Sequence, residues 1–420
     1  MDHRRFTLAC TLAVAALMGG SCRERARSPL ELPDQARAGV NVRDVRVLIL
    51  EAANEFQIRI NGPYEIRSPS TGVLAEGEGL PWTKVSRTTG DFVIGDRRWT
   101  TAAIEIAPRA NTAVHVSRLQ GGVWSGPLAY PGVIRCLRRT ATTMDVLNLV
   151  EIEQYVAGVI ACELYASFHP EAFRAQAVAA RTYALYQMAR QAKADYDVKA
   201  TQASQVYGGI PTGPAGRKAY EAVNHTRGIV CTWSSPAGER IFCTFYSAAC
   251  GGRTQAASYV FNTKDIPPLA GGVRCEYCQA AEGKSQAYRW PATSIEKAEL
   301  TQRLAARYGS VRSIGAIDRV EVVDRTSGGR PATLRLIGQS GRHTTLKAEE
   351  FRLAVGTRTM RSTNCTIVDE PGTVRFTHGK GNGHGVGLCQ WGMEGQANLG
   401  RKAGQILLFY YPGCHLTRAY

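Results

Sequence analysis

What this 420-residue chain is short of narrows its function before any motif is read. Acid is scarce beside base: 51 Lys and Arg stand against 35 Asp and Glu, a formal net charge of +16. Polyanions are therefore natural neighbours. Yet the basic residues come in scattered pairs such as Arg97-Arg98 and Arg138-Arg139. A basic stripe with interleaved aromatics is missing, which argues against nucleic acid and leaves a merely solvated basic surface as the plainer reading, with an anionic cell envelope as the candidate partner. Long apolar runs are missing too. The stretch from Phe6 to Met18 is well short of the roughly 20 residues an ordinary transmembrane helix needs, and no other stretch is longer and apolar enough. There is no repeat at a fixed period. With 44% apolar and 20% charged residues, wholesale disorder is also excluded.

What is present begins with "MDHRRFTLACTLAVAALMGGSC", residues 1–22. A basic start, an apolar run and then small residues are the layout of a secretory signal peptide. The end, "GGSC", resembles a bacterial lipobox in which Gly19 stands where Leu is usual, and would make Cys22 a lipidated first residue attached to the membrane. The expectation is an exported protein of the cell envelope or periplasm. Twelve cysteines are many for such a chain. Cys10 and Cys22 fall in the signal; the other ten would form disulfides by default in an oxidising compartment. Cys275-x-x-Cys278 has instead the spacing of a metal knuckle.

Residues 23–42 are charged, Pro-containing and aperiodic, and read as a tether. Residues 43–130 form a β-rich segment: "RVLILEA", "FQIRING", "AAIEIAP" and "TAVHVSR" are alternating or β-branched, with Gly, Pro and Asn between them. Residues 131–420 mix elements. The strongest helix signal spans 170–193, with Pro170 at a first helical position, Glu171 in the first turn, and Phe173, Ala177, Ala180, Ala184 and Met188 at helical spacing. Segments 240–261 and 315–368 read as strands, and "AGQILLFYYPG" as a short helix before a turn. The fold class is α+β, many short antiparallel strands around one long Ala-rich helix.

Four blocks then resemble one family, the SpoIID/LytB family of bacterial cell-wall proteins. They are "EIEQYVAGVIACELYASFHPEAFRAQAVAARTYAL" (151–185), "ATQASQVYGG" (200–209), "FYSAACGGRTQAASYVF" (245–261) continuing to "PPLAGGVRCEYCQ" (267–279), and "GKGNGHGVGLCQWGMEGQANLGRKAGQILLFYYPGCHL" (379–416). The resemblance covers roughly 130–420 and makes that segment a SpoIID-like catalytic domain. Sporulation members of the family are lytic transglycosylases, which cleave the MurNAc–GlcNAc bond of peptidoglycan strands. The family's catalytic acid/base falls on Glu163. One such group suffices for this reaction, because the sugar's own 6-hydroxyl attacks after the leaving oxygen is protonated, whereas ordinary hydrolases hold two carboxylates. The residues around Glu163 (Cys162, Leu164, Phe168) are largely apolar, an environment that keeps a carboxyl protonated. On spacing alone Glu163 reads first as a surface charge at a helix end, and Glu171 as a helix-start charge; the catalytic role of Glu163 is what the resemblance implies.

The resemblance further implies a glycan cleft. Gln176 and Arg181 on the long helix could face it, and His384, Gln390 and Trp391 in the Gly-rich block line it. Cys250 and Cys389 match positions that accompany the C-x-x-C, so Cys250, Cys275, Cys278 and Cys389 make a candidate structural Zn²⁺ site; catalysis itself needs no cofactor. Some sporulation members use a His near this region, but Ser247 stands there, with Cys243 as a spare thiol. Disulfides involving Cys250 remain the alternative. LytB-like members modify a cell-wall amidase, so a non-catalytic glycan-binding role is the rival reading. A zinc hydrolase built on His378, His384 and Cys389 is a third.

Overall fold

The computed structural model describes residues 44–420 except 121–122, 237, 262 and 286. The signal peptide with Cys10 and Cys22, and the tether 23–42, lie outside the described residues. The fold is mixed α+β with a β-rich N-terminal part. Eight helices are present among the described residues: α1 (Ile152–Glu163), α2 (Pro170–Arg190), α3 (Gly213–His225), α4 (Lys297–Arg307), α5 (Gly309–Ile314), α6 (Ala348–Val355), α7 (Gln390–Asn398) and α8 (Ala403–Tyr410). None is long and apolar enough to cross a membrane.

Two seven-stranded sheets dominate the N-terminal part. In strand Glu55–Ile60 the residues Phe56, Ile58 and Ile60 alternate inward, as a period-2 pattern requires of a half-buried strand. Strand Val45–Ala53 pairs antiparallel with Met144–Val150, which leads directly into α1. One hydrophobic core therefore runs from the first strands into the helices.

The long helix α2 begins as its sequence dictates. The ring nitrogen Nδ1 of His169 accepts the Glu171 N–H at 3.1 Å, and Pro170 fills the first helical position. Glu171 is buried in the first turn, where it pairs with Arg174 at 2.6 Å and also accepts the N–H of Ala403, the first residue of α8, at 2.9 Å. The alanines at 175, 177, 179, 180 and 184 are all fully buried, so α2 is not an amphipathic surface helix but a central one, packed on several sides. Their small side chains let α1, α3, α7 and α8 approach it.

Residues 290–376 build a second core of their own, from Trp290, Leu300, Leu334, Phe351 and Phe376 among others. Two three-stranded antiparallel sheets, Thr293–Glu296 with Thr373–Thr377 and Thr366–Glu370, and Ile317–Arg325 with Pro331–Gly338 and His343–Lys347, carry α4, α5 and α6. This accessory lobe leaves and rejoins the body at one place, where Trp290 N–H donates to the Gly379 carbonyl (3.2 Å) and Gly381 N–H to the Tyr288 carbonyl (2.8 Å). The strands expected over 315–368 are there. Those expected over 240–261 are mostly not: apart from the end of strand Gly238–Ile241 and the short Tyr246–Ser247 the chain runs as loop with one 3-10 turn at Ala257–Tyr259, and Gly251 and Gly252 take positive φ beside Cys250.

Candidate active site

Glu163 is the last residue of α1, since Leu164 turns extended (φ −117°, ψ 144°). The helix holds its place through a close approach: a Cβ on Gly158 would lie 2.4 Å from the Gly209 carbonyl oxygen. That packing brings the segment around Val206 to the end of α1. Val206 N–H donates to Glu163 Oε1 at 3.3 Å, and Gln390 Nε2 donates to Oε2 at 3.1 Å. Burial pushes the Glu163 carboxyl above the ordinary carboxylate range, and these two donors only partly oppose it.

Two adjoining cavities, of about 800 and 420 Å³, meet at this carboxyl. Both are lined by Glu163, Ala248, Arg361, Asn382 and Gln390. The larger has Tyr183, Phe245, Ser247 and His384 on the body side and Arg352, Leu353 and Arg358 from α6 and the following turn of the accessory lobe. The smaller is lined by an aromatic group, Tyr165, Phe168 and Trp391, with ring centroids 5.0–5.7 Å apart. Glu163 is the sole acid among the lining residues of either cavity.

The Gly-rich block forms the floor. A Cβ on Gly387, whose φ is +66°, would lie 2.2 Å from the Phe245 carbonyl oxygen, so the loop can lie against strand Tyr246–Ser247 only with glycine there. His384 lines the larger cavity, but its ring is already committed. Nδ1 accepts the Val386 N–H at 3.0 Å, and the edge of the ring meets Phe261 at 5.2 Å. Burial lowers its pKa to about 4, so it is neutral at physiological pH.

Of the residues expected to bind glycan, Gln390 and Trp391 line the cleft beside Glu163 and His384 lines its larger cavity. Gln176 and Arg181 do not: both are fully buried in α2 and line neither cavity. Arg181 instead pairs with buried Glu153 of α1 (2.5 Å) and donates to the Ile229 carbonyl at 3.1 Å. The reason is that α2 has no solvent face at that level: Arg181 is satisfied internally, whereas the Gln176 amide is buried without a hydrogen-bond partner among the described residues. Tyr165 was missed by sequence reasoning; it is 58% exposed at the mouth of the smaller cavity, two residues after Glu163 in "ELY". Val206, Arg358 and Arg361 were missed as well, and nothing in their spacing marks them.

Cys250, Cys275, Cys278 and Cys389 converge in a buried cluster whose sulfurs all lie within 4.8 Å of one another, and this cluster could hold a metal ion. Cys250 Sγ and Cys278 Sγ are 3.9 Å apart. Two thiolates on one tetrahedral ion with bonds near 2.3 Å would be about 3.8 Å apart, whereas a disulfide needs about 2.05 Å. Cys389 Sγ accepts the N–H groups of Cys250 (3.2 Å) and Gly392 (3.3 Å), and Tyr410 Oη lies 3.0 Å from Cys275 Sγ. A Cβ on Gly392 would come within 2.6 Å of Cys275 Sγ, so the cradle is shaped around sulfur. The donor set and its outer hydrogen bonds fit a closed four-thiolate centre. Cys243 lies outside it, and Ser247 Oγ accepts the Gly385 N–H at 3.2 Å rather than joining it. Cys389 belongs to this cluster without His378 or His384, so the three residues of a zinc hydrolase are not brought together.

Comparison with known proteins adds the following. A family model described as stage II sporulation protein matches residues 140–233, and one described as a domain of unknown function (DUF8618) matches 274–387. An uncharacterised protein of Brachyspira hyodysenteriae is 35% identical over 278 residues, spanning 66% of this chain and 69% of its own length. The amidase enhancer of Bacillus subtilis is 30% identical over 299 residues, 62% of this chain but only 40% of the enhancer. Stage II sporulation protein D of Bacillus subtilis is 29% identical over 283 residues, 64% of this chain and 75% of that protein.

Proposed function

Because this chain belongs to the SpoIID/LytB family, its cleft is read as one that serves the bacterial cell wall, and we propose that it is a lytic transglycosylase of peptidoglycan. The observation that carries this reading is the lone carboxyl, Glu163, at the junction of two cavities. A glycan strand laid through both would place one glycosidic bond beside it. A hydrolase would need a second carboxylate about 5–9.5 Å away to act as nucleophile or to activate water.

Protonated Glu163 gives its proton to the bridging glycosidic oxygen, and the C1–O bond breaks with its electron pair going to that oxygen. The resulting carboxylate, held by Gln390 Nε2 and Val206 N–H, accepts the proton of the MurNAc 6-hydroxyl as that oxygen closes on C1. The products are a new GlcNAc-side hydroxyl end and a 1,6-anhydro sugar, with no water consumed. Tyr165 and Trp391 offer a sugar-stacking wall to one side, and neutral His384 is a fixed wall of the other.

The four-cysteine cluster is proposed to hold a structural Zn²⁺ ion that supplies no step of the reaction and fixes the loop carrying Gln390. Export to the envelope, through the 1–22 segment and with lipidation of Cys22, is part of the same reading. The test is mass spectrometry of products from intact and peptide-free glycan. Wild type should release anhydro-sugar products, and Glu163→Gln should lower the rate by about 10²–10⁴, the worth of a placed general acid. Full activity of Glu163→Gln would sink the assignment.

A second reading rests on the 30% identity to the amidase enhancer: glycan binding that aids a partner amidase without cutting. Glycan retention with no released product, together with stimulation of an amidase, would favour it.

A further inference from the structure

Arg330 lies in the connection between strands Ile317–Arg325 and Pro331–Gly338 of the accessory lobe. It is 3% exposed. One guanidinium nitrogen, Nη2, donates to the carbonyls of Cys250 and Arg253, the latter at 2.8 Å. The other, Nη1, is buried without a hydrogen-bond partner among the described residues. It lies against Gly385, where a Cβ would come within 2.8 Å of it. No carboxylate is in ion-pair contact with Arg330 among the described residues. Glu349 exerts some attraction, but its two oxygens are already taken by Arg352 at 2.6 and 2.9 Å.

A buried guanidinium with only carbonyl partners is expensive unless a negative charge stands nearby. Arg330 reaches the cluster directly, since Nη2 donates to the carbonyl of Cys250, whose sulfur is one of the four. Four thiolates around a divalent ion leave a dianion. The thiol form of the same cluster leaves Arg330 facing neutral sulfur.

We infer that Arg330 is the counter-charge of a metal-loaded four-thiolate centre, and that loading the centre tightens the accessory lobe against the body, beyond contacts such as Asn364 Nδ2 to the Gly251 carbonyl and Gly383 N–H to the Arg361 carbonyl. Arg330 is a positioning residue: it touches neither glycan nor the reacting atoms. Its reach from the lobe to Cys250 and Gly385 makes the centre a joint between two cores. Removing the metal strands the cation and loosens the lobe that carries Arg352, Arg358 and Arg361 into the cleft.

The test uses the full chain and does not depend on glycan cleavage, so it stands or falls separately from the enzymatic reading. Affinity for Zn²⁺ is measured by competition with a chromogenic chelator, and Co²⁺ is used to read the thiolate charge-transfer band. Arg330→Met should bind metal roughly 10–100-fold more weakly, the usual effect of an outer-shell change, with the four-thiolate band retained. Arg330→Lys, which keeps the charge and loses the fork, should restore most of that affinity. Hydrogen exchange over 290–377 should slow on metal loading in wild type and respond much less in Arg330→Met. Wild-type affinity in folded Arg330→Met overturns the inference. So does an equal loss in Arg330→Lys, which would assign the effect to the carbonyl contacts, and so does failure of the wild-type chain to bind either ion. Should Arg330→Met fail to fold, the lysine variant and the wild-type exchange comparison still decide.

Discussion

Replacing Arg181 by Met separates a structural from a substrate-binding role for the most conspicuous polar residue of α2. The guanidinium is fully buried, with Nε 3.0 Å and Nη2 2.5 Å from the Glu153 oxygens and Nη1 3.1 Å from the Ile229 carbonyl. Taking it away leaves the buried Glu153 carboxylate with two donors, Gly228 N–H at 3.0 Å and Tyr420 Oη at 2.7 Å. Breaking a buried pair by removing one partner costs about 3–5 kcal/mol, and the two surviving donors place this site near the lower figure, about 3 kcal/mol. Urea unfolding followed by tryptophan fluorescence should show the midpoint falling by that equivalent. The double variant Glu153→Leu/Arg181→Met should lose less than the sum of the two single losses, because it strands no charge. Product release by the folded fraction, assayed well below the transition, should keep its KM. An Arg181→Met protein that unfolds at the wild-type midpoint but binds glycan more weakly would refute the reasoning and return Arg181 to the cleft.

Three further outcomes follow from the geometry. Gln390→Leu removes a donor that favours the charged form of Glu163, so the carboxyl pKa rises further; since the acid must be protonated to act, the alkaline fall of kcat/KM should move to higher pH, as a pH–rate profile will register. Gly387→Ala should cost at least about 1–2 kcal/mol from its left-handed backbone alone, before the clash with Phe245, and calorimetry should show the lowered Tm. Tyr165→Ala should cost no more than about 1 kcal/mol of stability, since the largely exposed ring loses only its contacts with Phe168 and Trp391, while loss of roughly 0.5–1.5 kcal/mol of stacking raises KM about two- to tenfold in a glycan titration.

The start of α2 could be read from the chain because its determinants are local: Pro170, Glu171 and the alanine spacing act within one or two turns. The cysteine cluster was half legible, through Cys275-x-x-Cys278 and the blocks around Cys250 and Cys389. What no spacing discloses is a contact between elements far apart. Glu163 meets Gln390 across 227 positions, and Arg181 finds Glu153 because α2 runs through the core rather than along the surface. Alanine is the ambiguous letter there. An Ala-rich helix with occasional Gln and Arg has the composition of a solvated helix and of a tightly packed central one, and only its neighbours decide. The accessory lobe was likewise visible as strands but not as a body with its own core, since the pairing of Thr293–Glu296 with Thr373–Thr377 spans about eighty residues.

The neck at Tyr288–Trp290 and Gly379–Gly381 has a consequence for how such a chain tolerates change. To the rest of the protein the lobe is a loop whose ends are already together, and the entropy of closing a loop grows only logarithmically with its length. Insertions and deletions between those points are cheap for the body. Glu163 and Gln390 lie outside the neck, whereas Arg352, Arg358 and Arg361 lie inside it. On the proposed reading, the acid that breaks the bond and the arginines that gauge what enters can therefore drift at different rates along one chain, and substrate preference can be rewritten without touching Glu163.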